Sequence, residues 1–176
     1  MRDLIIFIPS IEGGGVEKNL FYITNYIQSK FKNIYLITAD KLKKYPFGKN
    51  IKLIMPNSSS YNGKNRIIKS MICSYLLIRN FKKRKTLILS LQSNFFSIIL
   101  SKIINAKVII RLNTSPEKYI SNFYKKIFFK SLYSFADQII VNSYDFKRNL
   151  YKNFNLNSKA ILNPIKISKT RKQIDF

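Results

Sequence analysis

Short apolar runs alternate with longer stretches of helical period along most of the 176 residues. Strands are predicted at Leu4–Ile8, Ile34–Thr38, Ile51–Met55, Leu87–Leu91, Val108–Ile110, Gln138–Val141 and Ala160–Leu162. Most of these runs are apolar throughout rather than alternating, which marks strands covered on both faces. Helices are predicted at Val16–Lys30, Asn65–Lys83, Phe95–Ile104, Tyr119–Ser134 and Asp145–Asn153. Alternation of this kind builds an α/β fold, a Rossmann-like, mainly parallel sheet of about seven strands with helices on both faces. The connection from Asp40 to Asn50 holds Pro46 and Gly48 and offers no good helix. The third strand is therefore either an antiparallel edge or reached by an extended loop.

Local chemistry sets several boundaries. The hydroxyl of Ser143 suits the start of the helix near Asp145, where it can accept from an otherwise unpaired amide. Pro56 to Lys64, rich in Ser, Asn and Gly, reads as a surface loop. The second helix carries an apolar stripe of Ile68, Met71, Ile72, Tyr75 and Leu76, and Lys82, Lys83, Arg84 and Lys85 close it, complementing its dipole. The helix Tyr119–Ser134 carries Phe123, Tyr124, Ile127, Phe128 and Phe129 among Lys118, Lys125, Lys126 and Lys130. An aromatic stripe at helical spacing reads first as core, and second as a face resting on anionic headgroups. Residues 1–165 form one domain, and 166–176 are a basic tail or the start of a linker.

Composition narrows the class without deciding it. Lys and Arg number 32 against 8 Asp and Glu, a formal charge of +24. Such a field attracts polyanions, although a chain so rich in Lys, Asn, Ile, Phe and Tyr also fits AT-biased coding. The single cysteine, Cys73, lies in an apolar stretch and reads as a buried small hydrophobe. No apolar run approaches the roughly 18 residues that cross a bilayer. The expected location is cytoplasmic, with a peripheral place at the inner face of the cell membrane as the second possibility.

The sharpest local feature is Glu12-Gly13-Gly14-Gly15-Val16-Glu17-Lys18, directly between the first strand and the first helix. Glycines let backbone approach a ligand, and a helix start presents unpaired amides and partial positive charge. A Walker A loop would end in Gly-Lys-Ser/Thr, which is absent here. The dinucleotide fingerprint would need a glycine where Lys18 stands, although Asp40 could pass for a ribose-binding acid.

Four segments in order resemble the amino-terminal domain of GT-B glycosyltransferases of the bacterial group 1 family (family four). They are Gly13 to Glu17, Val108 to Pro116, Ala136 to Ser143 and Ala160 to Ile165. The resemblance implies two Rossmann-like domains facing a cleft, this one holding chiefly the acceptor, with the donor-binding domain absent from the chain. Many members place a histidine after the central strand; this chain has none, and Arg111 or Asn113 stands near that place. An asparagine can hydrogen-bond a sugar hydroxyl but cannot serve as a general base near neutral pH.

The expected substrate-binding residues are Gly13, Gly14, Gly15, Arg111, Asn113, Thr114 and Ser143, for acceptor or donor phosphate. A turn role competes for Asn113 and Thr114, a structural ion pair for Arg111, and the helix cap for Ser143. Asn163 is expected to serve the turn before Pro164. No catalytic residue is assigned, and neither a metal nor a cofactor is expected. The implied function is transfer of a sugar from a nucleotide-sugar donor to a saccharide or lipid-linked acceptor in cell-surface polysaccharide synthesis, inactive without a second domain. A second chain carrying the donor domain and an anionic membrane surface are the expected partners. The alternatives are a basic nucleic-acid-binding module, for which charge is the only signal, and a nucleotide-cofactor oxidoreductase fragment.

Overall fold

The computed structural model describes residues 3–11, 14–41, 47–48, 50–58, 61–82, 86–116, 120 and 122–163. Seven strands form one sheet: β1 (Asp3–Phe7), β2 (Ile34–Ile37), β3 (Ile51–Ile54), β4 (Thr86–Ser90), β5 (Lys107–Leu112), β6 (Gln138–Val141) and β7 (Lys159–Ala160). Their spatial order is β3-β2-β1-β4-β5-β6-β7, and every pair runs parallel. Five helices connect them: α1 (Gly15–Ile27), α2 (Arg66–Phe81), α3 (Asn94–Ile103), α4 (Phe123–Tyr133) and α5 (Tyr144–Phe154). This is the expected Rossmann-like α/β architecture.

The helices divide unequally between the faces. Ile5, Phe7, Ile37, Ile88, Val108, Ile110 and Val141 point to the face where residues of α2, α3, α4 and α5 close a single core. Leu4, Ile6, Ile8, Ile34 and Leu36 point the other way, and α1 packs there through Leu20, Ile23 and Ile27. Alternate strand residues thus feed opposite cores, which explains why the strands read as unbroken apolar runs. Asn65, Asn122 and Ser143 cap α2, α4 and α5 by accepting from backbone amides, each cap contributing about 1 kcal/mol.

Two expectations are corrected, and of the two alternatives for the third strand the antiparallel one falls. The third strand is a parallel edge, paired with β2 from Ile34↔Ile51 to Ile37↔Ile54. The connection before it, residues 38–50, has the dozen or more residues that a parallel crossover needs. The buried face of α2 is Lys69, Ser70, Cys73, Leu77 and Phe81, while Ile68, Met71 and Tyr75 of the expected stripe are exposed. Apolar residues surround this helix, so period alone could not choose a face. On α4 the core reading holds only for Phe129; Phe123, Tyr124, Ile127 and Phe128 are exposed. Of the basic cluster closing α2, residues 83–85 lie outside the described residues. Cys73 is buried as expected, and desolvation, with Asp40 nearby, pushes its thiol pKa far up.

Candidate functional site

Chain direction across the sheet reverses between β1 and β4, since β1 leads outward to β2 and β3 on one side and β4 outward to β7 on the other. Loops leaving the two carboxyl ends diverge there, and ligands of open α/β sheets bind in the resulting crevice. A cavity of ≈ 730 Å³ occupies this edge. It is lined by Gly15, Val16, Lys18, Asn19 and Tyr22 from α1 and by Asn113, Asn142 and Asn163 from the strand ends. A second cavity of ≈ 420 Å³, whose lining includes Gln92, Ser93, Asn94, Phe95, Arg111 and Thr114, meets the first at Val16 and Asn113.

The three asparagines at the strand ends, Asn113, Asn142 and Asn163, are each held by hydrogen bonds. Asn113 Nδ2 donates to the Leu91 carbonyl (3.1 Å), and Asn142 Nδ2 donates to the Asn113 carbonyl (3.4 Å). Asn163 Oδ1 accepts from Asn19 Nδ2 (3.1 Å) and from Arg111 Nη2 (2.7 Å). Each of the three commits only one of its two polar side-chain atoms in these bonds. A carboxamide offers two N–H donors and a two-lone-pair acceptor, so the other atom remains for a ligand hydroxyl.

Arg111 lies against this row. It is 4% exposed, and Nη2 also donates to the Ile161 carbonyl (3.3 Å), while its buried Nε has no partner. Its contacts are a carboxamide and a carbonyl rather than a carboxylate, so the competing ion-pair reading fails. Desolvation lowers its pKa, but a guanidinium stays charged in proteins. The result is a fixed positive charge held against Asn163 of the first cavity and lining the second.

At the opposite wall, Gly14 is the N-cap residue of α1, with extended backbone and no side-chain cap. A Cβ built on Gly15 would meet nothing within 4 Å, so the glycine leaves open space rather than relieving a clash. The first-turn amides and the positive end of the helix dipole stand at that opening. Thr114 is exposed and lines only the second cavity. The Ser143 hydroxyl is occupied by the Phe146 amide (3.1 Å), as the cap reading requires, and it lines neither cavity. Gly13 lies outside the described residues.

Sequence reasoning passed over Asn19 and Asn142 and gave Asn163 only a turn role. A signal was present: each of the last three strands is followed within three residues by asparagine. It also passed over Lys69, which is 1% exposed. Lys69 Nζ lies 2.8 Å from Asp40 Oδ1 and donates to Asp40 Oδ2 and Ser10 Oγ, each at 3.0 Å. Asp40 Oδ2 further accepts from the Ile11 amide at 2.8 Å. This buried knot pins the start of the β1–α1 loop to the end of β2 and to α2, and it takes Asp40 away from any ribose.

No protein-family model and no curated protein sequence matches the chain. Solved structures do match its fold. HepE of Anabaena, in complex with UDP and glucose, superposes with a TM-score of 0.64 at 15% identity, covering 94% of this chain and 45% of that one. Apo UGT2 of Phytolacca americana gives 0.61 at 9% identity, covering 96% and 53%. A ugt transferase from Siraitia grosvenorii in complex with UDP gives 0.52 at 7% identity, covering 97% and 53%. The chain thus spans about half the length of these neighbours, and its fold is that of one Rossmann-like unit of GT-B glycosyltransferases.

Proposed function

We propose that this chain is the acceptor-holding half of a glycosyltransferase that moves a sugar from a nucleotide-sugar donor to a saccharide or lipid-linked acceptor in cell-surface polysaccharide synthesis. One observation carries the reading. Three braced asparagines and an uncapped helix start converge on one cavity at the carboxyl edge of the sheet. Carboxamides both donate and accept, which matches sugar hydroxyls, and the buried Arg111 beside them biases the pocket toward electron-rich oxygen. Among the described residues the cavity lining holds no carboxylate or imidazole. In this reading the departing phosphate can take the acceptor proton, the acceptor oxygen bonding to the anomeric carbon as the bond from that carbon to the phosphate oxygen breaks.

A second domain, in the same or another polypeptide, completes the site. The half-length match to the solved neighbours favours this, and so does the sheet face carrying α1. There a ≈ 590 Å³ apolar groove, walled on one side by Tyr22, Ile23, Tyr26 and Ile27 of α1, runs over Leu87, Leu89, Ile109, Ile140, Ile161 and Leu162. Parallel sheets bury both faces, so a further element belongs there. The oxidoreductase alternative loses its ribose acid to the Asp40–Lys69 pair, and the nucleic-acid alternative gains no observation.

Calorimetric titration separates these readings. The chain should bind acceptor oligosaccharides and lipid-linked sugars while binding UDP and UDP-sugars weakly, and should transfer only after a donor-binding domain is supplied. Tight donor binding without acceptor binding would overturn the assignment of the half.

A further inference from the structure

We propose that the α3–α4 surface is a docking face for an anionic phospholipid bilayer, placed so that the bilayer lies at the mouth of the cleft. Phe123, Tyr124, Ile127 and Phe128 are 68%, 79%, 51% and 59% exposed. At 3.6 residues per turn they fall within about 140° of arc, on the side of α4 away from the buried Phe129. Lys125, Lys126 and Lys130 are exposed on the flanks of that arc. Neither α3 nor α4 contains an aspartate or glutamate, so no carboxylate on these helices offsets the lysines. An apolar outward face flanked by cations is the pattern of a helix lying in a headgroup plane, and the chain's +24 charge adds a field of the same sign.

The face continues into the candidate site. The Phe128 ring stands 6.2 Å from Phe95 of α3, and Phe95 lines the cavity that also holds Asn113 and Thr114. An acceptor anchored in the bilayer by an apolar tail would present its head group to that cavity. This last step rests on the glycosyl-transfer reading; the docking itself does not, because it is measured without donor or acceptor.

The test is co-sedimentation of the purified chain with vesicles of phosphatidylglycerol and phosphatidylcholine in equal parts, against pure phosphatidylcholine, over a salt series. The chain should partition onto the anionic vesicles and release as salt rises. Each headgroup-level lysine contributes about a fivefold gain in partition, so K125Q/K126Q/K130Q should lower it about 100-fold. F123S/Y124S/F128S should retain weak binding that salt abolishes. The control K30Q/K32Q/K52Q removes the same charge from exposed sites elsewhere and should lose only a few fold. Circular dichroism of each variant checks folding. Equal loss in the control set would assign binding to diffuse charge and overturn the proposal. So would no binding at low salt, or self-association abolished by F123S/Y124S/F128S without vesicle binding, which would make the face a protein interface. If the chain docks but never binds a saccharide, the functional reading fails while the docking face stands.

Discussion

Two buried cations, on opposite faces of the sheet, are held in contrasting ways. Lys69 meets the carboxylate of Asp40, and Ser10 and the Ile11 amide complete the cluster. Arg111 meets only the Asn163 carboxamide and the Ile161 carbonyl, with Nε unpartnered. A buried charge is tolerated when paired and hydrogen-bonded, so Lys69 sits in a closed knot with nothing left to offer. Arg111 keeps an uncompensated charge beside a cavity. A closed knot of this kind is a structural fastener, and an open one is where a ligand oxygen gains most. Burial alone, nearly equal at the two residues, does not distinguish them; the partner's charge does.

The contrast can be broken most forcefully at the knot. Lys69→Ala strands the Asp40 carboxylate in the core and should destabilise the fold by about 3–5 kcal/mol, read from urea unfolding. D40N/K69M keeps an acceptor for the Ile11 amide and removes both charges, so it should recover more than half of that loss. A cost below about 1 kcal/mol for the single variant would mean the pair is wetter than its burial indicates. Arg111→Met strands no carboxylate, and Asn163 keeps its bond from Asn19. Its stability loss should stay under about 2 kcal/mol, while acceptor affinity falls roughly tenfold, equivalent to 1.4 kcal/mol. If the two single variants lost similar stability, the distinction between fastener and open site would collapse.

The sequence made most of the fold legible because strands buried on both faces are uniformly apolar, a pattern local enough to read. All seven strands and five helices stand within a few residues of their expected places. What failed was orientation. On α2 the apolar residues encircle the helix, and long-range partnerships such as Lys69 with Asp40 and Ser70 with Ser93 accompany the side that turns inward. On α4 the aromatic stripe had the spacing of a core face, yet α3 and α5 already fill the space beside Phe129, leaving Phe123 and Tyr124 outside. The site divided in the same way. Gly15, Arg111 and Asn113 were legible as candidates because they follow predicted strands or precede a predicted helix. The pairing of Asn19 with Asn163 spans 144 residues and has no local signature.

Smaller changes sharpen the contrast at the cavity itself. Asn113→Ala removes the bond to the Leu91 carbonyl and should cost about 1 kcal/mol of stability. It should weaken acceptor binding by more than that bond accounts for, because it also removes the free Oδ1. Asn113→Asp restores an acceptor but not the donor to Leu91, so its binding should fall between the two. An alanine variant that binds acceptor like the native chain would remove Asn113 from the site.

The smallest stability change is expected at Gly15, and its sign makes it informative. Gly15 is the first residue of α1, with negative φ as for any helical residue and open space where a Cβ would stand. Alanine there loses less chain entropy on folding and strains nothing, so Gly15→Ala should stabilise the fold by about 0.4–1 kcal/mol. A glycine that serves only as a turn would leave ligand affinity unchanged on this substitution. A glycine that keeps backbone amides open to a ligand would gain stability and lose affinity together on this substitution, because Gly15 itself lines the cavity shared with Asn113, Asn142 and Asn163. Thermal melting and acceptor titration of this one variant therefore separate the two roles. Rising Tm with unchanged affinity would return the first loop to a purely structural part, leaving the asparagine row as the binding wall of the cavity.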